Sequence, residues 1–254
     1  MKTKLLFIVI LINLWSLYPA LCQNTHQTLV ENHLAGMPDQ TIVQMAVLDH
    51  GTWDKFAFEV QHGTIKSIPC KDQLFEIGSI TKVFTASLVM KLSEKGKISP
   101  EDPIQKFLPF PMKKDSFQGH TIQVKHLLTH TSGLSNGPSS FTLPYLKARI
   151  FAPKNPNKYF KTRHMYKYLK DFELDYSPGN SWAYNNLGYG LLGTFCETST
   201  GRSWENLIQE NIFEPLGMKE SWFEINHQNS SKLIQGTTEK GKPSKPWDMD
   251  FINP

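Results

Sequence analysis

Residues 79–94 (SITKVFTASLVMKLSE) constrain the chain more than any other stretch. Ile80, Val83, Phe84, Leu88 and Leu92 recur at three- and four-residue spacing, which predicts a helix. Ala86, Val89 and Met90 extend the apolar surface to the other faces. A helix greasy nearly all round belongs inside a protein and needs cover from several neighbours. Gly96, within Lys95-Gly96-Lys97, supplies its stop.

The rest of the chain supplies candidates for that cover. Residues 41–48 (TIVQMAVL) are rich in β-branched and apolar side chains, Asp49-His50-Gly51 offers a turn, and residues 53–60 alternate as a partner strand. Together they predict a β-hairpin. Residues 74–77 are a short extended stretch ending at Gly78. Helical patterns cover 122–128, 158–172, 187–198 and 204–213, the last with Ser203 as N-cap, and 232–238 reads as a strand. The lysines and Arg163 that stud 158–172 read as a solvated face. No internal repeat or long linker divides the 254 residues. With 39% hydrophobic and 20% charged residues the chain is globular, and residues 23–254 read as one domain.

The N-terminus is an address. Lys2 and Lys4 precede an apolar run over 5–12 that continues through 14–21, and Ala20-Leu21-Cys22 offers small residues before Gln23. Residues 1–22 therefore read as a secretory signal peptide cleaved near Cys22, ahead of an uncleaved anchor or an acylated Cys22. The expected location is secreted or periplasmic, with no membrane span after cleavage. Loss of Lys2 and Lys4 leaves 25 bases against 23 acids, a balance that excludes nucleic-acid binding without a clustered patch. Cys70 and Cys196 remain, expected as two separately buried thiols rather than a bridge.

The chemistry concentrates at Ser79-Ile80-Thr81-Lys82. Residues three apart share a helix face, so Lys82 can approach the Ser79 hydroxyl. Ser79 opens the helix, at the positive end of its dipole, where a developing anion is favoured. A serine hydroxyl is a poor nucleophile until a base takes its proton. Lysine can be that base when burial lowers its pKa, and Val83 and Phe84 adjoin Lys82. Taken alone, the triplet equally describes an N-cap serine followed by a surface lysine. Tyr184-Asn185-Asn186 adds support: it follows the turn signal Tyr176-Ser177-Pro178-Gly179 and precedes an apolar helix. Tyr184 can relay a proton between Ser79, Lys82 and a leaving group. Asn186 can hold the Lys82 amine and donate to a substrate carbonyl. The alternative is a turn whose Asn side chains bond their own backbone.

Three other patterns carry less. Gly133-Leu134-Ser135-Asn136-Gly137 matches G-x-S-x-G but lacks a preceding strand and a following helix. His126 and His130 lie four apart, with His120 nearby, but no Glu follows His126 and no carboxylate completes a zinc site. Trp182 suits a cleft wall and a core equally.

The stretches FEIGSITKVFTASLVMKL (75–92), LLTHTSGL (127–134), YSPGNSWAYNNLGYGLLG (176–193) and IFEPLGMKESWF (212–223) together resemble the serine β-lactamase and penicillin-binding protein family. They are most similar to its branch with a Tyr-x-Asn second motif: class C β-lactamases, D-alanyl-D-alanine carboxypeptidases and related esterases. The resemblance implies an α/β serine β-lactamase/transpeptidase-like fold, an antiparallel sheet with a helical subdomain. It implies Ser79 as acylated nucleophile, Lys82 and Tyr184 as general acid–base groups and Asn186 as positioning residue. It implies a small-molecule or peptidoglycan-derived substrate and no cofactor or metal. The family's third element, Lys-Thr-Gly or His-x-Gly on a late strand, does not occur in the sequence. Lys240-Gly241-Lys242 has the wrong order. The C-terminal strands are therefore expected to be missing, and an impaired fragment or a non-catalytic cell-wall-binding derivative stands as the alternative to an enzyme.

Overall fold

The structure is a computed structural model that describes residues 28, 30, 32–136, 139–152, 158–236, 243, 244 and 246. The leader reading of residues 1–22 and the Lys240-Gly241-Lys242 turn lie outside the described residues. The described residues fall into two compact units, those within 1–73 and 234–244 and those within 74–233 and 245–254.

The first unit holds a three-stranded antiparallel sheet, β1 (Ile42–Asp49), β2 (Thr52–Gln61) and β3 (Thr64–Ile68), in the order β1-β2-β3. The expected hairpin is present, with Asp49 opposite Thr52 and Ile42 opposite Glu59. Its turn places His50 at φ 46° and Gly51 at φ 82°. That left-handed pair matches the twist of the strands it joins. A second hairpin repeats the device at His62 (φ 51°) and Gly63 (φ 71°), adding a strand the alternation did not announce. Phe58 and Val60 of β2 bury against Val30 and Leu34.

The second unit is mainly helical: α1 (Thr81–Glu94), α2 (Val124–Leu128), α3 (Thr142–Phe151), α4 (Thr162–Asp171), α5 (Asn186–Thr200) and α6 (Trp204–Ile208). A π turn, Gln209–Phe213, extends α6. A two-stranded ribbon, β4 (Ser116–Phe117) with β5 (His120–Thr121), completes it. Helix α5 is its axis: nine of its residues are buried, and Gly201 at φ 72° caps it. Phe195 stacks on Phe107 at 4.9 Å, and Leu191 and Leu192 are fully buried in the same core. Ser203 caps α6 as expected, accepting from the Asn206 N–H.

Several expectations are corrected. Helix α1 buries Thr85, Leu88, Val89 and Leu92 against α5 and the segment from Trp204 to Phe213. Its opposite face leaves Ile80, Val83 and Met90 exposed, so it is a one-sided helix rather than an enclosed one. The strand over 232–238 reduces to one parallel bridge, Leu74 with Leu233, and residues 237 and 238 lie outside the described ones. Helix α3 was not anticipated; its Pro144 sits in the first turn, where no intrahelical N–H is lost. Both cysteines are free, but Cys70 is exposed. Cys196 is buried on α5, and burial pushes its thiol up to about 12.

Candidate active site

Ser79 sits in a single 3-10 turn, Gly78–Ile80, that leads into α1. Gly78 takes φ 51°, a left-handed conformation that costs glycine nothing. Neither the turn nor α1 has a side-chain cap. The Ser79 hydroxyl is therefore not spent on the backbone. It lies 2.7 Å from the Tyr184 phenol oxygen, where either group can donate. It also accepts from the Lys82 ammonium at 3.2 Å. An N-cap serine with an unrelated surface lysine is thereby excluded.

Lys82 is half-buried, with its Nζ 4.9 Å above the Tyr184 ring and 5.7 Å above the Tyr189 ring. Two aromatic faces hold the cation beside the hydroxyl. Burial raises the Tyr184 phenol, but hydrogen bonds from Lys82 and Ser79 and the Lys82 charge outweigh it and hold the phenol below its ordinary value. Ser79, Lys82 and Tyr184 thus form one hydrogen-bonded group.

The segment carrying Tyr184 is laced to the loop after α2. The Ala183 N–H donates to the His130 carbonyl at 2.9 Å, and the Asn185 N–H donates to His130 Nδ1 at 3.1 Å. Buried Asn185 donates its amide to the Leu134 carbonyl and accepts from the Gly188 N–H at 2.9 Å, capping α5. The Asn186 N–H donates to Asn136 Oδ1 at 2.8 Å, and the Tyr189 hydroxyl donates to the Leu128 carbonyl at 2.9 Å. Asn186 is the first residue of α5 and adjoins the site. Among the described residues, no hydrogen bond joins its side chain to Lys82 or Ser79, so the expected grip on the amine is not made here.

His130 is the residue the sequence hid. It appeared there as one of two spaced histidines, but its ring lies 4.7 Å from the Tyr184 ring and 5.1 Å from that of Tyr189. Burial first, and the Lys82 charge second, keep its pKa below the ordinary value. With Nδ1 accepting, the neutral ring carries its proton on Nε2. His126 serves a different purpose, its Nδ1 accepting from the Gln123 N–H at the start of α2. Trp182 is 66% exposed and meets His130 edge-on at 6.0 Å, so it is not core. The Ser135 N–H donates to the Tyr168 hydroxyl.

A lysine and a tyrosine converging on one exposed serine hydroxyl is an arrangement suited to acyl transfer. The chain is 28% identical over 201 residues to a beta-lactamase of Pseudomonas fluorescens, covering 79% of this chain and 51% of the relative. It is 30% identical over 167 residues to the D-alanyl-D-alanine-carboxypeptidase/endopeptidase AmpH of Escherichia coli K12, covering 65% of this chain and 41% of that protein. It thus spans about half the length, or less, of these relatives. A crystal structure of a beta-lactamase/D-alanine carboxypeptidase from Yersinia pestis superposes with TM-score 0.62 at 26% identity, covering 87% of this chain and 63% of that one. The counterpart from Pseudomonas syringae gives TM-score 0.67 at 24% identity over 89% and 59%, a likeness of fold. The profile of the Beta-lactamase family matches residues 33–251, and with more than four-fifths of the sequence inside that match the chain belongs to the beta-lactamase family.

Proposed function

We propose that the chain is a secreted or periplasmic serine acyl hydrolase that works through an acyl-enzyme on Ser79. The observation that carries this is the Ser79 oxygen, shared between Tyr184 at 2.7 Å and Lys82 at 3.2 Å. Ser79 Oγ attacks a substrate carbonyl carbon while its proton passes to the Tyr184–Lys82 pair. The tetrahedral intermediate collapses, its leaving group takes that proton, and an ester to Ser79 remains. Water, deprotonated by the same pair, then attacks the ester carbonyl and Ser79 recovers its proton. Tyr184, with its lowered pKa, is the group that hands protons across, with the Lys82 amine beside it. Asn186 orients the substrate carbonyl from the start of α5. His130 acts through Tyr184: it fixes the backbone on either side of that residue and braces its ring. The substrate class is a β-lactam, a peptidoglycan D-Ala-D-Ala stem or a simple ester.

A second reading is favoured by one observation, that the sequence holds neither Lys-Thr-Gly nor His-x-Gly. Losing one oxyanion donor costs about 10²–10³ in rate. In that reading the domain binds an acyl-peptide ligand without turnover. A fluorescent penicillin and a fluorophosphonate, followed by intact mass and peptide mapping, separate the two. Label on Ser79 that is absent in Ser79→Ala supports the hydrolase. Folded protein that takes no label, yet binds peptidoglycan, overturns it in favour of the second reading.

A further inference from the structure

Between Asp115 and Asp171 the chain has no acidic residue, and those 55 positions hold nine of its 27 lysines and arginines. The remaining 18 bases face all 23 acids, so the near-neutral whole conceals one strongly cationic stretch of 55 residues. Helix α3 lies within it. Its inner face is Pro144 and Ala148, continued from Phe141, all buried. At 3.6 residues per turn, Leu143, Leu146 and Ile150 form one row on the opposite side. They are 74%, 51% and 62% exposed. Lys147 and Arg149 flank that row, one on each side, and both are exposed. Phe151, also exposed, closes its C-terminal end. The Lys147 ammonium sits 4.7 Å above the Tyr159 ring, and Phe141 meets Phe160 at 4.9 Å. These contacts bring the basic segment from Lys158, with exposed Lys161 and Arg163, against the edge of α3.

We propose that the outward face of α3 docks on an anionic phospholipid surface. An apolar row edged by cations is the pattern of a helix lying in the plane of a bilayer interface. Ten residues reach about 15 Å along the axis, enough to lie on a membrane and too short to cross one. Charge alone would suit a soluble polyanion equally, but such a partner leaves Leu143, Leu146 and Ile150 in water. Lipid satisfies both halves of the surface: acyl chains receive the row, and phosphate headgroups meet Lys147 and Arg149. This docking is independent of the chemistry at Ser79 and holds whether or not the chain turns substrate over.

The test is co-sedimentation of the full chain with vesicles of mixed phosphatidylglycerol and phosphatidylcholine, and with phosphatidylcholine alone. Comparison among variants of the full chain makes any contribution of residues 1–22 common to all. Partition onto the anionic vesicles should exceed that onto neutral ones at least tenfold and weaken with added salt. Leu146→Glu with Ile150→Glu should lower it at least tenfold, as should Lys147→Glu with Arg149→Glu. All four positions are exposed, so unchanged circular dichroism and melting confirm that these variants fold. Vesicle binding unaffected by the Leu146/Ile150 pair overturns the proposal. So does failure of the unaltered chain to prefer anionic vesicles, or capture by soluble polyphosphate alone that survives the apolar substitutions.

Discussion

Replacing His130 with alanine removes two things at once. The buried Asn185 N–H loses its acceptor at 3.1 Å, a cost of about 1–3 kcal/mol. A half-buried ring packed on Tyr184 and Tyr189 is also lost, worth about 1 kcal/mol. The expected destabilisation is therefore about 2–4 kcal/mol. His130→Asn should cost about half as much or less, because Asn can offer Oδ1 to the same N–H and tolerates the left-handed backbone at φ 59°. In a chain of this size each kcal/mol moves the melting temperature by about 2–4 °C, so calorimetry separates the two variants. The same pair should differ in acylation: alanine releases Tyr184 and slows the chemical step, a loss in kcat more than in KM, which asparagine largely restores. If both variants melt together, or alanine costs less than about 0.5 kcal/mol, His130 is a surface residue and the bracing argument fails.

Removing only the phenol oxygen, as in Tyr184→Phe, should leave melting nearly unchanged and slow fluorophosphonate labelling about 10²–10⁴-fold; labelling at the wild-type rate would show that Tyr184 moves no proton. His126, His130 and His164 all have pKa values lowered chiefly by burial, so between their native values and about 6.5 the unfolded chain binds more protons. Stability should therefore rise with pH across that window, and the melting temperature should fall when pH drops below it; a flat profile there contradicts their burial. Gly133→Ala should destabilise by more than the about 1–2 kcal/mol of left-handed strain, since φ is 80° and the new Cβ would lie 3.0 Å from Tyr176 Cζ; a melting temperature equal to wild type refutes this. Iodoacetamide should alkylate Cys70 and spare Cys196 in the native protein, as read by peptide mass; equal labelling would mean α5 opens readily.

What the sequence disclosed follows the range over which each feature is determined. The first hairpin was readable because Asp49-His50-Gly51 fixes its turn locally; the second went unread, although His62-Gly63 repeats the same left-handed pair. Ser79 and Lys82 were readable as a pair because one helical turn joins them. Helix α3 was not, because a proline is ambiguous until the start of the helix is known. The solvent-facing side of α1 was not, because apolar composition does not say which neighbours arrive. His130 lay beyond reach for a stronger reason: nothing within its own segment indicates a partner 54 residues away.

That last case explains why the candidate site depends on more than the three side chains that meet at the Ser79 hydroxyl. Tyr184 precedes α5 by only two residues, and a segment with Trp182 exposed beside it has little packing of its own. Its position comes from the loop after α2, where the His130 carbonyl and ring nitrogen hold the backbone on both sides and Asn136 holds the next residue. Those bonds are made by backbone N–H groups, so substituting the side chains at 183 or 185 cannot remove the donors, whereas changing His130 removes one acceptor. The placement of the Tyr184 phenol against Ser79 is thus encoded largely in the loop, and sequence drift there should erode acyl transfer while Ser79, Lys82 and Tyr184 all remain in place.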